Sequence, residues 1–280
     1  MSYECFDVET RDGVTEIRLN RPDAYNSMVP AFWTELPKIV RDLDAGSETR
    51  VIVLSSTGKH FCAGMDLAVF TGGSSLGGQT KGEAGRQRAN LRRHILELQE
   101  TFSSLERARV PVLAAVQGGA IGGAVDMITA CDMRYMSEEA FICIQEINIG
   151  MTADVGTLQR LPKIIPEGVA RELSYTGRRM PAAEAKECGL VNEVFPDPEA
   201  LHAGVMAVAR QIATKSPLAI WGTKEMINYS RDHSVEDSLN YIATWQTGMF
   251  HPTDMAETFK AKAEKRDPEF ADLLPTGKPV

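Results

Sequence analysis

The 280-residue chain is 43% hydrophobic and 24% charged, a balance that suits one large or two small well-packed domains and excludes extended disorder. Its formal net charge of -8 argues against nucleic acid as a main partner, because phosphate binding needs a concentrated basic surface. Five scattered cysteines, Cys5, Cys62, Cys131, Cys143 and Cys188, lack paired CxxC spacing and fit small core residues in a reducing compartment. No apolar run approaches the roughly 20 residues that span a bilayer. The first residues enter a strand pattern with no apolar leader, and Gly277-Lys278-Pro279-Val280 is neither a peroxisomal nor a retention signal. The expectation is a cytoplasmic protein with no membrane partner.

Phe6 and Val8 alternate with polar residues, Asp12-Gly13 supplies a tight turn, and Thr15, Ile17 and Leu19 keep the period of two, which predicts an opening β-hairpin. Asn20-Arg21-Pro22-Asp23 ends it. Pro30 suits a first helical turn, and Phe32, Leu36, Ile39, Val40 and Leu43 recur at helical spacing. Pro37 weakens that helix locally, because proline removes a backbone donor. Residues 51–54 form a continuous apolar run of the kind found in a buried strand. The glycine-rich stretch 72–85 predicts a loop covering a pocket. Leu91, Ile95, Leu98, Phe102 and Leu105 mark a long amphipathic helix. A second buried strand at 110–116 leads through a glycine turn into a helix at about 122–131, and 141–144 reads as a further strand. This alternation argues for an α/β architecture. Beyond Pro181 one strand is evident, at 190–195, followed by helical patterns near 199–214, 217–229, 235–250 and 253–265. That helical part suits a subdomain or an oligomerisation surface.

Chemistry concentrates between Gln117 and Arg160. Gly118, Gly119, Gly122 and Gly123 sit at a strand-to-helix turn, where a missing Cβ lets a ligand approach the backbone and a helix N-terminus offers unpaired N–H groups. Close strand–helix packing explains the same glycines equally well. Their spacing rejects a dinucleotide fingerprint, and no GK[ST] phosphate loop occurs. Three acids follow, each with an ordinary explanation. Asp126 suits a first helical turn through the helix dipole, although Val125, Met127 and Ile128 leave it in apolar company, where acids are seldom buried unless paired or used. Glu146 ends a strand-like run and is explicable as exposed. Asp154 fits an N-cap for residues 155–161. His60, His94, His202, His233 and His251 pair with no serine or cysteine in a hydrolase motif, and HExxH is absent, so neither a hydrolase nor a metal site is expected.

The whole constellation resembles the crotonase superfamily, also called the enoyl-CoA hydratase/isomerase family. The landmarks are Asn20-Arg21-Pro22 with Asn26-Ser27-Met28, FCAGMDL at 61–67, PVLAAVQGGAIGGAVDMITACDMRY at 111–135, GTLQRLPKII at 156–165 and TGRRMPAAEAKECGLVNEVF at 176–195. They span nearly the entire chain. The resemblance implies an α/β spiral of ββα units over 1–195 that holds an acyl-CoA site, and a helical region over 196–280 that builds trimers, commonly stacked as hexamers. It implies an acyl-CoA thioester as substrate, with coenzyme A part of that substrate and no separate cofactor. It further implies an oxyanion hole made by the backbone N–H groups of Met65 and Gly123. Ala63, Gly64, Met65, Asp66 and Leu67 would wrap the adenine and pantetheine portion, and a basic residue near Arg21 or Lys260 would meet the CoA phosphates.

Within this family the acids decide the reaction. Hydratases carry glutamates at the positions of Asp126 and Glu146, jointly holding the water they add. Here the first acid is an aspartate and Asp154 is a third, and the separations of 20 and 8 residues, with ADVGTLQR at 153–160, resemble the Δ3,5-Δ2,4-dienoyl-CoA isomerases. The three acids suggest a mechanism in which Glu146 takes a proton from C2 of a 3,5-dienoyl thioester and Asp154 delivers one to C6, with Asp126 positioning the others or tuning their charge. Two acids make chemical sense because the two carbons lie four bonds apart. An oxyanion hole is needed because a carboxylate is a weak base. Each donor contributes roughly 3 kcal/mol to an enolate-like transition state, and a positioned acid or base about 10²- to 10⁴-fold. Three carboxyls in one apolar pocket should raise at least one pKa. Other readings are an enoyl-CoA hydratase, a Δ3,Δ2-enoyl-CoA isomerase, or a non-catalytic thioester- or RNA-binding member. Asp154 discriminates among the enzymes.

Overall fold

The computed structural model describes residues 3–66, 69, 83–250 and 252–276. Strands β1 (Phe6–Arg11) and β2 (Val14–Leu19) form the expected antiparallel hairpin, in register from Phe6 opposite Leu19 to Arg11 opposite Val14. Asp12 and Gly13 both take positive φ, the backbone that a two-residue hairpin turn of the primed type requires. β2 pairs in parallel with β3 (Val51–Ser56), β3 with β4 (Val112–Val116), β4 with β6 (Met133–Ser137) and β6 with β9 (Glu193–Phe195), giving one six-stranded sheet. Ile52 and Leu54 enter the main core, whereas Val51 and Val53 pack on the other face with Leu201, Val205 and Ala209. Both faces are buried, so β3 reads as an unbroken apolar run.

A second, three-stranded layer holds β5 (Gly119–Ile121), β7 (Phe141–Cys143) and β8 (Arg179–Pro181). Isolated parallel bridges, Cys62 with Ala120 and Met28 with Met65, extend it. Each turn of chain thus places one strand in the large sheet and one in the small layer before a helix begins: β4, β5 and then α3 (Gly123–Thr129) is the clearest case. The sequence marks the short β5 only as part of a glycine turn. Three residues carry no periodicity, and this strand exists because Cys62 and β7 supply its pairing.

Helix α1 (Pro30–Ala45) continues through Pro37. The Trp33 carbonyl that Pro37 leaves without a donor accepts the Thr101 hydroxyl at 3.2 Å, so the neighbouring helix α2 (Ala84–Arg107) repairs the ladder. Of the anticipated loop 72–85, residues 72–82 lie outside the described residues. At its end Glu83 caps α2 by accepting the Gly85 N–H at 2.7 Å. Helix α3 is shorter than the expected 122–131, because the Ala130 and Cys131 N–H groups turn back to Met127 and Ile128. Short helices α4 (Thr157–Arg160), α5 (Glu167–Thr176) and α6 (Ala182–Glu187) follow. β9 starts at Glu193 rather than 190, since the Leu190 and Val191 N–H groups bond to the Ala185 carbonyl in a turn.

In the C-terminal part, α7 (Pro198–Ala213), α8 (Pro217–Ser230), α9 (Val235–Met249) and α10 (Pro252–Glu264) succeed one another. Asp197, Ser216 and Ser234 cap the first three by accepting N–H groups in their first turns. α7 covers the large sheet and shares its core. The later helices leave apolar side chains outside: Ile227 is 62%, Leu239 63% and Phe259 65% exposed, a density that marks an unpartnered contact face. Among the described residues no helix is long and apolar enough to cross a membrane.

Helix α8 is pinned to the body by buried Lys224, whose ammonium donates to the Leu105 and Val110 carbonyls at 3.1 and 2.9 Å and pairs with Asp132 at 2.9 Å. Lys224→Met would leave two carbonyls and a carboxylate short of a partner. We expect a loss of about 3 kcal/mol in urea denaturation followed by circular dichroism.

Candidate active site

The site is assembled by a clamp between distant segments. Buried Asn26 donates to the Thr57 and His60 carbonyls at 2.8 and 3.0 Å and accepts the Arg21 N–H at 2.9 Å. This holds the chain beyond β2 against the segment beyond β3. Met28 then lies alongside Met65, its N–H donating to the Gly64 carbonyl at 2.8 Å and its carbonyl accepting from Asp66 at 3.1 Å. In such a parallel bridge the residues flanking Met65 do the bonding, so the Met65 N–H faces the opposite way. It has no hydrogen-bond partner among the described residues. Gly64 adopts φ +82°, and a Cβ there would lie 2.7 Å from the Ile121 carbonyl oxygen and 3.5 Å from the Gly123 nitrogen. Only glycine permits that approach. Gly123 opens α3, where N–H groups have no intrahelical acceptor, and it too is without a partner among the described residues.

The three acids converge beside this pair of donors. Asp126, one turn into α3, is 0% exposed. Its Oδ1 accepts the Thr157 N–H at 2.6 Å, while its Oδ2 is buried with no partner among the described residues. Burial, reinforced by the charge of Glu146, pushes its carboxyl up to about 7. Glu146 stands in the 3-10 turn Gln145–Ile149 that follows β7. Its Oε1 lies 3.2 Å from where a Cβ on Gly122 would sit, and its Oε2 is buried and likewise unpartnered. Desolvation raises its pKa, and Asp154 adds repulsion. Asp154 is exposed as a residue, yet desolvation of its carboxyl raises that group too. Each carboxyl therefore favours the proton more than in water, the condition under which one acid stays neutral while its neighbour serves as a base.

Asp154 does not cap α4. The cap position is Gly156, at φ +138°, and the first helical N–H, that of Thr157, is taken by Asp126 instead. Gln99 of α2 donates to the Asp154 carbonyl at 2.7 Å and so holds the loop. Sequence reading missed Gly156, Gln99 and Thr157. For Gly156 a signal existed, since a glycine directly before a helix can mark a required positive φ; a Cβ there would lie 1.8 Å from the Arg160 guanidinium.

Of the proposed thioester-binding stretch, Ala63, Gly64, Met65 and Asp66 form the wall beside Met28, with Asp66 accepting the Ser27 hydroxyl at 2.8 Å. Leu67 lies outside the described residues. The Arg21 guanidinium donates to the Ser27 carbonyl at 2.8 Å, which gives it a structural task in the clamp. Lys260 sits on α10. Among the described residues no group of His, Cys, Asp or Glu is arranged to hold a metal ion.

Comparison with known proteins agrees with this architecture. The family described as enoyl-CoA hydratase/isomerase matches residues 9–273. The chain is 43% identical to a peroxisomal Delta(3,5)-Delta(2,4)-dienoyl-CoA isomerase of Arabidopsis thaliana, over 97% of this chain and 99% of that one. It is 42% identical to the mitochondrial isomerase of the same name from Homo sapiens, over 95% and 81% respectively. Among solved structures, an enoyl-CoA hydratase from Bacillus anthracis superimposes with a TM-score of 0.85 at 32% identity, covering 96% of this chain and 99% of that one.

The raised pKa of Asp126 has a signed consequence. Between its ordinary value near 4 and about 7 the folded state holds a proton that the unfolded chain releases, so this group's contribution to stability falls as pH rises through that window and levels off above it. Asp126→Asn keeps an oxygen for Thr157 and removes the titration. Its urea midpoint should decline less than that of the wild type between pH 5 and pH 8; parallel declines would refute the buried, protonated carboxyl.

Proposed function

The chain belongs to the enoyl-CoA hydratase/isomerase family, and from its three carboxyls, close enough to shift one another's affinity for protons, we propose that it isomerises 3,5-dienoyl-CoA to 2,4-dienoyl-CoA in unsaturated fatty-acid degradation. The observation that carries this reading is Asp154. It leaves the cap of α4 to Gly156 and interacts electrostatically with both Glu146 and Asp126. A hydratase needs two acids around one water, whereas moving a proton from C2 to C6 needs one at each end of the diene. The Arabidopsis and human relatives carry the isomerase name.

The thioester oxygen sits against the Met65 and Gly123 N–H groups, which receive the negative charge as Glu146 withdraws the C2 proton. Charge spreads along the dienolate, and Asp154 protonates C6. The donors are backbone groups held by the Met28 bridge and the α3 start, so they need no reorganisation as charge develops. Ala63, Gly64, Met65, Asp66 and Leu67 bind the CoA portion, coenzyme A arrives as part of the substrate, and the reaction takes no further cofactor. The acidic balance gives no role to nucleic acid.

The exposed apolar face of α8 to α10 is the surface through which the helical region 196–280 joins copies of the spiral domain 1–195 into a trimer or hexamer. Five free thiols support a reducing compartment, which we take to be the cytoplasm.

Two measurements test this function. Purified protein given a 3,5-dienoyl-CoA should generate the ultraviolet absorbance of the conjugated 2,4-product, and Asp154→Asn should lower that rate at least about 100-fold with an unchanged circular dichroism spectrum. Hydration of a 2-enoyl-CoA without any rise on the dienoyl substrate would assign a hydratase instead. Light scattering should return a mass of three or six chains, and Phe259→Asp with Leu239→Asp should lower it.

A further inference from the structure

Isomerisation leaves the protein with its proton in the wrong place. After C2 has lost a proton to Glu146 and C6 has gained one from Asp154, Glu146 is neutral and Asp154 is charged, the reverse of the starting state. Either both groups exchange with water or the proton returns inside the protein.

The surroundings of Asp126 favour the second route. One oxygen is fixed by the Thr157 N–H at 2.6 Å, three residues beyond Asp154, which ties this carboxyl to the loop that carries the acid. The other oxygen is buried and unpartnered among the described residues. On the opposite side, Gly122, the residue that caps the helix bearing Asp126, abuts Glu146, whose own Oε2 is also buried and unpartnered. A buried acid oxygen without a partner is costly while charged, so each of these two groups gains by carrying a proton. Asp126 thus lies close enough to both Glu146 and Asp154 to feel their charges, and it is itself shut off from water.

On the isomerase reading above, we propose that Asp126 is the proton carrier that resets the site, handing its own proton to Asp154 and taking a replacement from Glu146. Each transfer moves one proton from a carboxylic acid to a carboxylate, so the three groups hold the same number of protons before and after a full cycle. Asp126 touches no reacting carbon in this scheme. Its affinity for a proton, near 7, suits a carrier that must both accept and release.

The test follows the label. A 3,5-dienoyl-CoA bearing deuterium at both C2 positions is mixed in ordinary water with an unlabelled substrate two carbons longer, and the 2,4-products are resolved by mass. Internal return places deuterium at C6 of both chain lengths in the wild type. Complete loss of the abstracted deuterium to water overturns the proposal. Asp126→Asn should still convert about one equivalent per site in a rapid first turnover, because Glu146 and Asp154 start correctly charged, then continue slowly with the label washed out. A variant that retains label as the wild type does, or that lacks the first turnover, also overturns it. Asp126→Glu should restore part of the retention. If no 2,4-product forms with the wild type, the isomerase reading fails rather than the relay.

Discussion

The hydrogen bond from the Thr157 N–H to Asp126 Oδ1 joins two halves of the molecule that the chain leaves 31 residues apart. A carboxyl with no exposure needs such a partner, because a buried polar group left without a hydrogen bond is costly even when neutral. Here the partner is the first free N–H of a four-residue helix that has no side-chain cap of its own. The bond therefore serves both ends. It satisfies the helix start, and it holds the loop carrying Asp154 close to Asp126. With that loop placed, Asp154 is free of the capping task its position suggests and faces the other acids.

Backbone geometry provides the second constraint. The Met28–Met65 bridge and the α3 start each leave an N–H without a partner among the described residues for ordinary reasons, one being the alternation of a parallel ladder and the other the termination of a helix. Gly64 brings them within reach of each other by approaching the Ile121 carbonyl as no other residue can. The Asn26 clamp supports this arrangement from outside, which is why an asparagine with positive φ stands in a segment that contributes nothing directly to the reaction. The solved hydratase superimposes on this fold, and a shared fold does not by itself fix the reaction.

Much of this was legible in the amino-acid order. The hairpin, the buried strand at 51–54 and the helices with clear periodicity follow from local hydrophobic pattern, and the acids stood out by type and spacing. Less legible were the features whose cause lies elsewhere in the chain. Pro37 reads as a weak point of α1, and Thr101 repairs it from another helix. Asp154 looked like a cap, and Asp126 occupies the N–H that a cap would take. β5 looked like a turn because its pairing comes entirely from Cys62 and Phe141–Cys143.

The sequence by itself determined which elements form and which side chains are available for proton transfer, because periodicity, turn chemistry and residue type act over a few positions. Tertiary structure alone decided which N–H groups remain unpaired and which oxygens of Asp126 and Glu146 are cut off from water. Those properties belong to no single segment. They arise where separate stretches of chain meet, and the energy of a buried charge or an open donor is set by what surrounds it.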